Sequence, residues 1–205
     1  KHITTGEGGA ITTNSEEDYQ KLLTLRNHGM IRDPEKFTLK NQAFDKEQRA
    51  NPWYYEMHEL GFNYRITDFQ CALGMSQLTK LDRFVQRRRE IAKTYDQAFK
   101  NHCRLRPLTE GNQNSSYHLY VTLIDFEKAG LTRADFCRKL AHHKVGVMVH
   151  YIPINKQPYY QSLGYGDEKT PQMDLYYQTA ISLPIFPSIK DKEQSYIIDK
   201  IKKII

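Results

Sequence analysis

Apolar and polar positions change their spacing several times along the chain, and each change marks an element. Ile3-Thr4-Thr5 and Ala10-Ile11-Thr12-Thr13 are short β-favouring runs on either side of Gly6-Glu7-Gly8-Gly9. That pattern predicts a hairpin with a glycine turn. Ser15, with Asp18 three residues on, predicts the cap of a helix that carries Leu22, Leu23 and Leu25 and stops at Gly29. Residues 31–60 are polar and irregular, with Pro34 and Pro52 and the aromatics Trp53, Tyr54 and Tyr55 near the end. A connection this long inside a compact protein is usually functional or disordered, and the aromatics favour a loop that folds over something. Thr67 and Gln70 form a second capping box that opens a long helical region from Asp68 towards Phe99. Phe69, Leu73, Leu78, Leu81, Phe84, Val85 and Ile91 roughly keep helical spacing there, and Gly74 predicts a kink or a close packing contact.

After Pro107 the pattern shifts. Tyr117 to Ile124 predicts a strand, Thr132 caps a helix with Phe136 and Leu140, and Val145 to Tyr151 predicts another strand. A short helix over Asp174 to Ala180, an extended segment over Ile181 to Pro187 and a terminal helix over Asp191 to Ile205 follow. Strands alternating with helices beyond a long connecting helix predict a small α/β domain from about residue 105 onward.

Composition narrows the class. The 205 residues suffice for one ample core or two small ones, and 39% hydrophobic with 26% charged residues is ordinary for a soluble globular protein. No apolar run approaches the roughly 20 residues that cross a bilayer. The opening KHITTGEGGAITTN has neither a signal core nor an initiator Met, which suggests a fragment or a processed chain. The net charge of +6 reads as a mildly basic enzyme surface that also suits an anionic small substrate. Nucleic-acid binding would want its basic residues on one stripe, and the densest cluster, Arg87-Arg88-Arg89, sits among Gln86, Glu90 and Asp96 as a solvated helix face. Cys71, Cys103 and Cys137 are odd in number and widely spaced. They support neither a disulfide framework nor a zinc site, and point to a reducing cytoplasm. Two of them fall on apolar helical faces, where free cysteine behaves as a small hydrophobe.

Motifs read by spacing alone stop at a soluble α/β protein. Gly6-Glu7-Gly8-Gly9 lacks phosphate-loop spacing, no H-E-x-x-H or G-x-S-x-G occurs, and His142-His143 close a helix, where they suit its carboxyl end.

A resemblance goes further. Lys1-His2-Ile3-Thr4-Thr5-Gly6-Glu7-Gly8-Gly9-Ala10 resembles the cofactor-lysine motif of the DegT/StrS family of sugar aminotransferases. Arg26-Asn27-His28-Gly29, Leu60-Gly61-Phe62-Asn63-Tyr64-Arg65 and Ala72-Leu73-Gly74 with Gln77-Leu78 and Leu81-Asp82 keep the family's order. So do His118-Leu119-Tyr120, His150-Tyr151-Ile152-Pro153-Ile154 and Ser182-Leu183-Pro184.

The resemblance implies an α/β fold of the aspartate-aminotransferase type (fold type I). Residues 1–104 would end the large cofactor-binding domain, and residues 105–205 would form the small carboxy-terminal α/β domain. The implied cofactor is pyridoxal 5'-phosphate (PLP), held by Lys1. Asn63 would reach the cofactor phosphate of a neighbouring subunit, Arg65 would stabilise that loop, and His150 and Tyr151 would lie near the sugar nucleotide. Asn155 stands where many members carry histidine. The implied reaction moves an amino group from L-glutamate to a nucleotide-linked 4-keto-6-deoxy sugar, in a cytoplasmic homodimer with shared sites and with no nucleic-acid, membrane or metal partner. Met57 through Asp82 most resembles members that act on a UDP-linked 6-deoxy-acetamido sugar. A dehydratase branch carries histidine in place of the lysine, so Lys1 argues against it.

The chemistry suits the residue types. An ordinary lysine near pKa 10.4 is a free base in only on the order of one molecule in a thousand at pH 7, so a nucleophilic lysine needs help from desolvation or cationic neighbours. An asparagine amide can donate to phosphate oxygens without changing the charge. The family's region upstream of the lysine lies outside these residues, so the resemblance also implies that they are inactive alone, with unpaired sheet edges. Two other readings stand beside it: an aminotransferase acting on another 4-keto or 3-keto nucleotide sugar, since sister enzymes share these motifs, and a non-catalytic fragment or interaction domain that keeps the fold and binds no cofactor.

Overall fold

The computed structural model describes residues 1–112 and 114–205, in two compact units: residues 3–78, and residues 79–205 together with Lys1–His2. In the first unit, α1 (Glu16–Arg26) starts where expected, with Ser15 Oγ accepting from the Asp18 N–H at 3.2 Å. Three acidic residues in its first turn complement the helix dipole. It ends at Arg26, and the left-handed pair His28 (φ 61) and Gly29 (φ 69) turns the chain. β1 (Met30–Ile31) then pairs antiparallel with β2 (Glu56–Met57), Met30 facing Met57.

The connection between them carries structure that its polar composition hid. A 3-10 turn at Pro34–Lys36 and α2 (Lys40–Ala43) surround buried Phe37 and Ala43, and the Phe37 ring stands edge-on to Phe44 and Tyr54. Trp53, by contrast, is 75% exposed.

The predicted hairpin at residues 3–13 does not form: these residues carry no strand. A lone two-stranded hairpin is marginal in water, and the threonine hydroxyls compete for the backbone. Thr4 Oγ1 accepts from Gly6 N–H, Thr5 Oγ1 donates to Glu7 O, and Thr13 Oγ1 accepts from Ser15 N–H. The capping box does form, opening α3 (Asp68–Leu78): Gln70 Oε1 accepts from Thr67 N–H, and Thr67 Oγ1 from Gln70 N–H. The helical region breaks after Leu78 and resumes at Leu81. Gly74 supplies close packing, since a Cβ there would lie 3.0 Å from Thr5 Cγ2.

The second unit opens with α4 (Leu81–Phe99) and continues through β3 (Leu105–Pro107), β4 (Tyr120–Ile124), α5 (Phe126–Ala129) and α6 (Arg133–His142). α7 (Pro158–Ser162), α8 (Pro171–Thr179), β5 (Ala180–Leu183) and α9 (Asp191–Ile204) complete it. The three strands form an antiparallel sheet in the order β3-β4-β5, with Leu105 opposite Ile124 and Tyr120 opposite Leu183. Ile91, Tyr95 and Phe99 of α4, Phe136 and Leu140 of α6, and Ile197 and Ile201 of α9 pack with Ile124 and Ile181 of the sheet into one core.

Val145 to Tyr151, expected as a strand, makes one antiparallel bridge, Met148 to Ser182. The register explains why it stops. The next pair would set Gly146 against Pro184, which has no N–H to give, and on the other side β5 emerges directly from α8.

The arginine cluster is also not the solvated face that its neighbours suggested. Arg88 is 8% exposed, and its Nη1 donates to the carbonyls of Tyr117, His118 and Ile185 at 3.1, 3.3 and 3.0 Å. Arg89 Nε donates to Ser115 O at 2.9 Å, and Arg87 Nη2 to Ile189 O and Asp191. Buried carbonyls without partners are costly, and a guanidinium can serve several at once. Of the cysteines, Cys137 is half-buried beside the core while Cys71 and Cys103 are exposed. Among the described residues, no helix is long and apolar enough to cross a membrane.

Candidate active site

In the second unit, Lys1 has an exposed side chain with no hydrogen bond or ion pair among the described residues. The residue after it is anchored. The His2 ring meets Ser116 O at 2.8 Å through Nε2 and stands edge-on to His118, with 6.0 Å between centroids. The segment it docks on is itself held, because Arg88 and Arg89 bind the carbonyls of residues 115, 117 and 118. Burial pushes the pKa of His118 down, and positive charge around it, Lys1 and Arg88 included, adds to the effect. A neutral imidazole is favoured there.

His150 is half-buried. Its Nδ1 lies 2.8 Å from Ser182 Oγ, and its carbonyl accepts from Tyr176 OH at 2.9 Å. The Tyr151 ring stands edge-on to it at 4.6 Å and is 63% exposed. No hydrogen bond joins Lys1 to this pair among the described residues.

In the first unit, Asn63 and Arg65 sit on a loop fixed by its backbone. His28 N–H donates to Phe62 O, Phe62 N–H to Leu25 O, and Tyr64 N–H to Arg26 O. Asn63 bridges Asn27, whose carboxamide oxygen accepts from Arg65. The approach is close enough to demand glycine: a Cβ on Gly61 would fall 2.1 Å from Gly29 N, and one on Gly29 would fall 1.8 Å from Glu59 O. The Asn63 carboxamide is exposed and has no partner among the described residues.

In the same unit, Glu56 is 6% exposed and gathers donors from Thr38 N–H and hydroxyl, Leu39 N–H, Tyr54 OH and His58. Burial pushes its carboxyl up, but these hydrogen bonds outweigh burial and hold it well below the usual carboxylate range. Neither this carboxylate nor the Arg88 clamp was legible in advance. Glu56 looked like a loop residue, whereas Arg88 shares the helical stripe of Ile91, Ala92, Tyr95 and Phe99, a signal that could have found it.

A free amine on an anchored segment, and a fixed loop with an unengaged amide donor, match what an aldehyde and a phosphate require. The residues present therefore fit the part of a PLP site that they would supply.

Comparison with known proteins defines the class. The fold is that of the fold-type-I aminotransferases. PseC of Helicobacter pylori, an aminotransferase involved in the biosynthesis of pseudoaminic acid, superposes with a TM-score of 0.86 at 30% identity, covering 100% of this chain and 50% of that one. Residues 1–202 match the DegT/DnrJ/EryC1/StrS aminotransferase family, and the chain belongs to it. It is 35% identical to the spore coat polysaccharide biosynthesis protein SpsC of Bacillus subtilis, over 100% of this chain and 51% of that protein. It is 32% identical to the UDP-4-amino-4,6-dideoxy-N-acetyl-beta-L-altrosamine transaminase of Campylobacter jejuni, over 100% of this chain and 50% of that protein. The chain thus spans about half the length of the curated relatives it matches. PLP is the cofactor indicated by the family and by a solved neighbour in its PLP form.

Proposed function

We propose that this chain supplies the lysine-bearing part of an active site that moves an amino group from L-glutamate to a nucleotide-linked 4-keto-6-deoxy sugar. A UDP-linked acetamido sugar, the type named for the Campylobacter transaminase, is the preferred substrate. The observation that carries the reading is the free Lys1 amine at the head of a family-matched segment whose next residue is anchored on Ser116.

Lys1 would hold the cofactor and, once released, move the proton at the reacting carbon. Bound PLP would supply the electron sink for that proton transfer. Asn63 would donate to phosphate oxygens across a homodimer interface, with Arg65 keeping its loop in register through Asn27. His150 and Tyr151 would meet the sugar nucleotide. A division into a large-domain end at residues 1–104 and a small domain at residues 105–205 belongs to the same proposal. So does a cytoplasmic setting, in keeping with three free thiols.

Mixing the full-length protein with PLP should give a visible absorbance band that borohydride bleaches while leaving the cofactor covalently linked to Lys1. Absence of the band, or its survival in Lys1→Ala, defeats the proposal. A panel of UDP- and dTDP-keto-sugars offered with glutamate then identifies the acceptor.

A further inference from the structure

Ser182 lies in β5 and is 6% exposed, with its backbone paired to Val121 of β4 on one side and to Met148 on the other. Its hydroxyl has one partner among the described residues, His150 Nδ1, at 2.8 Å. The direction of that bond decides which nitrogen of His150 carries the proton. If Nδ1–H donated to Ser182 Oγ, the buried hydroxyl hydrogen would be left without an acceptor, and an unsatisfied buried donor is costly. With Oγ–H donating to Nδ1, the Ser182 hydroxyl hydrogen and the Nδ1 lone pair satisfy each other, and the neutral imidazole carries its proton on Nε2. His150 Nε2 has no partner among the described residues and is not among the buried unpaired atoms, so it reaches solvent. Tyr176 OH fixes the His150 carbonyl at 2.9 Å, and the Tyr151 ring stands against the imidazole. Ring and backbone are both held.

We propose that Ser182 is a positioning residue that locks neutral His150 in the Nε2–H form, so that it offers a hydrogen-bond donor, and not a base, to an oxygen of the nucleotide sugar. Phosphate or hydroxyl oxygens accept such a donor; a substrate N–H does not. The assignment rests on the reading of His150 as a substrate contact and adds to it the polarity of the contact and the residue that sets it.

The test uses full-length protein labelled with 15N-histidine, with the His150 signals assigned by their loss in His150→Gln. At neutral pH, Nε2 should carry the proton. Ser182→Ala should mix the two tautomers and raise KM for the nucleotide sugar about fivefold, the size of one neutral hydrogen bond, with kcat little changed. Ser182→Thr keeps the hydroxyl and should restore both readouts. A proton on Nδ1 in the unaltered protein overturns the proposal without recourse to any variant. An unchanged tautomer and KM in well-folded Ser182→Ala overturn it as well. If Ser182→Ala shifts the tautomer while His150→Gln leaves KM unchanged, the tautomer lock stands and the substrate role of His150 falls.

Discussion

The two units hold themselves together by different means. In residues 79–205 a continuous apolar cluster joins α4, α6, α9 and the sheet, and two of the polar side chains buried with it are paired: Tyr120 OH donates to Asp96 at 2.7 Å, and Gln194 Nε2 to Ile91 O at 2.8 Å, while Arg88 Nε is buried without a partner among the described residues. In residues 3–78 the buried apolar residues described are Phe37 and Ala43, and α1 buries none of its residues. Order there comes from backbone close approach at Gly29 and Gly61, from the Glu56 carboxylate and from helix caps. Burial is non-directional and tolerates local adjustment, whereas hydrogen bonds and close approaches fail abruptly when one atom is added or removed. The unit that carries Asn63 and Arg65 is therefore the more sensitive to small polar changes.

The largest test of this contrast is in the core. Phe136 is 0% exposed, and truncating a buried phenylalanine typically costs about 3–5 kcal/mol. Phe136→Ala should lower global stability by that amount in a denaturant titration of the full-length protein. If the loss is below about 1 kcal/mol, the second unit does not depend on burial as argued.

Gly61→Ala adds one methyl group where Gly29 N stands 2.1 Å away. Backbone on both sides must shift, at a cost of about 1–3 kcal/mol or more. The effect should be local: PLP affinity, read by absorbance titration, should weaken at least about tenfold while the unfolding midpoint of the second unit stays put. Equal PLP affinity in the variant would remove the Asn63 loop from the cofactor site.

Glu56 gives the contrast a pH signature. Its folded pKa lies below the ordinary 4.5, so its contribution to stability is fully present above that value. That contribution is lost progressively as pH falls below 4.5 towards the folded pKa, because the unfolded state takes up the proton first. Hydrogen exchange at Thr38 and Leu39, whose amides the carboxylate holds, should report the loss. Glu56→Gln should show faster exchange at those amides at neutral pH and no longer respond to acid in that range. A wild-type acid response that persists in Glu56→Gln assigns the effect to another carboxylate.

How much was legible in the sequence follows the same division. The caps at Ser15, Thr132 and Thr67 read correctly because each signal lies within three residues of the helix that it starts. The limit of the strand at Val145–Tyr151 did not, because it depends on Pro184, on a segment that only folding brings alongside. Arg88 failed for a related reason. Three like charges in a row suggest water, but the acceptors that neutralise burial of the middle one lie 29, 30 and 97 residues away. At the candidate site, Lys1 stood out only through its family motif, and the tie between His150 and Ser182 spans 32 residues.

The finest comparison sets one cap against another. Ser15 and Thr132 both accept from the N–H of an aspartate three residues on, at 3.2 and 3.1 Å. Removing such a cap typically costs about 1 kcal/mol of helix stability. α6 carries Phe136 and Leu140 into the core, so its first turn cannot fray without disturbing buried packing, while α1 buries nothing and can fray alone. Thr132→Ala should therefore lower global stability by about 1 kcal/mol in denaturant. Ser15→Ala should leave the global transition in place and accelerate amide exchange only in the first turn of α1. Equal global losses from the two variants would mean that α1 is coupled to the rest of its unit through contacts other than burial, and the contrast between the units would have to be redrawn around those contacts.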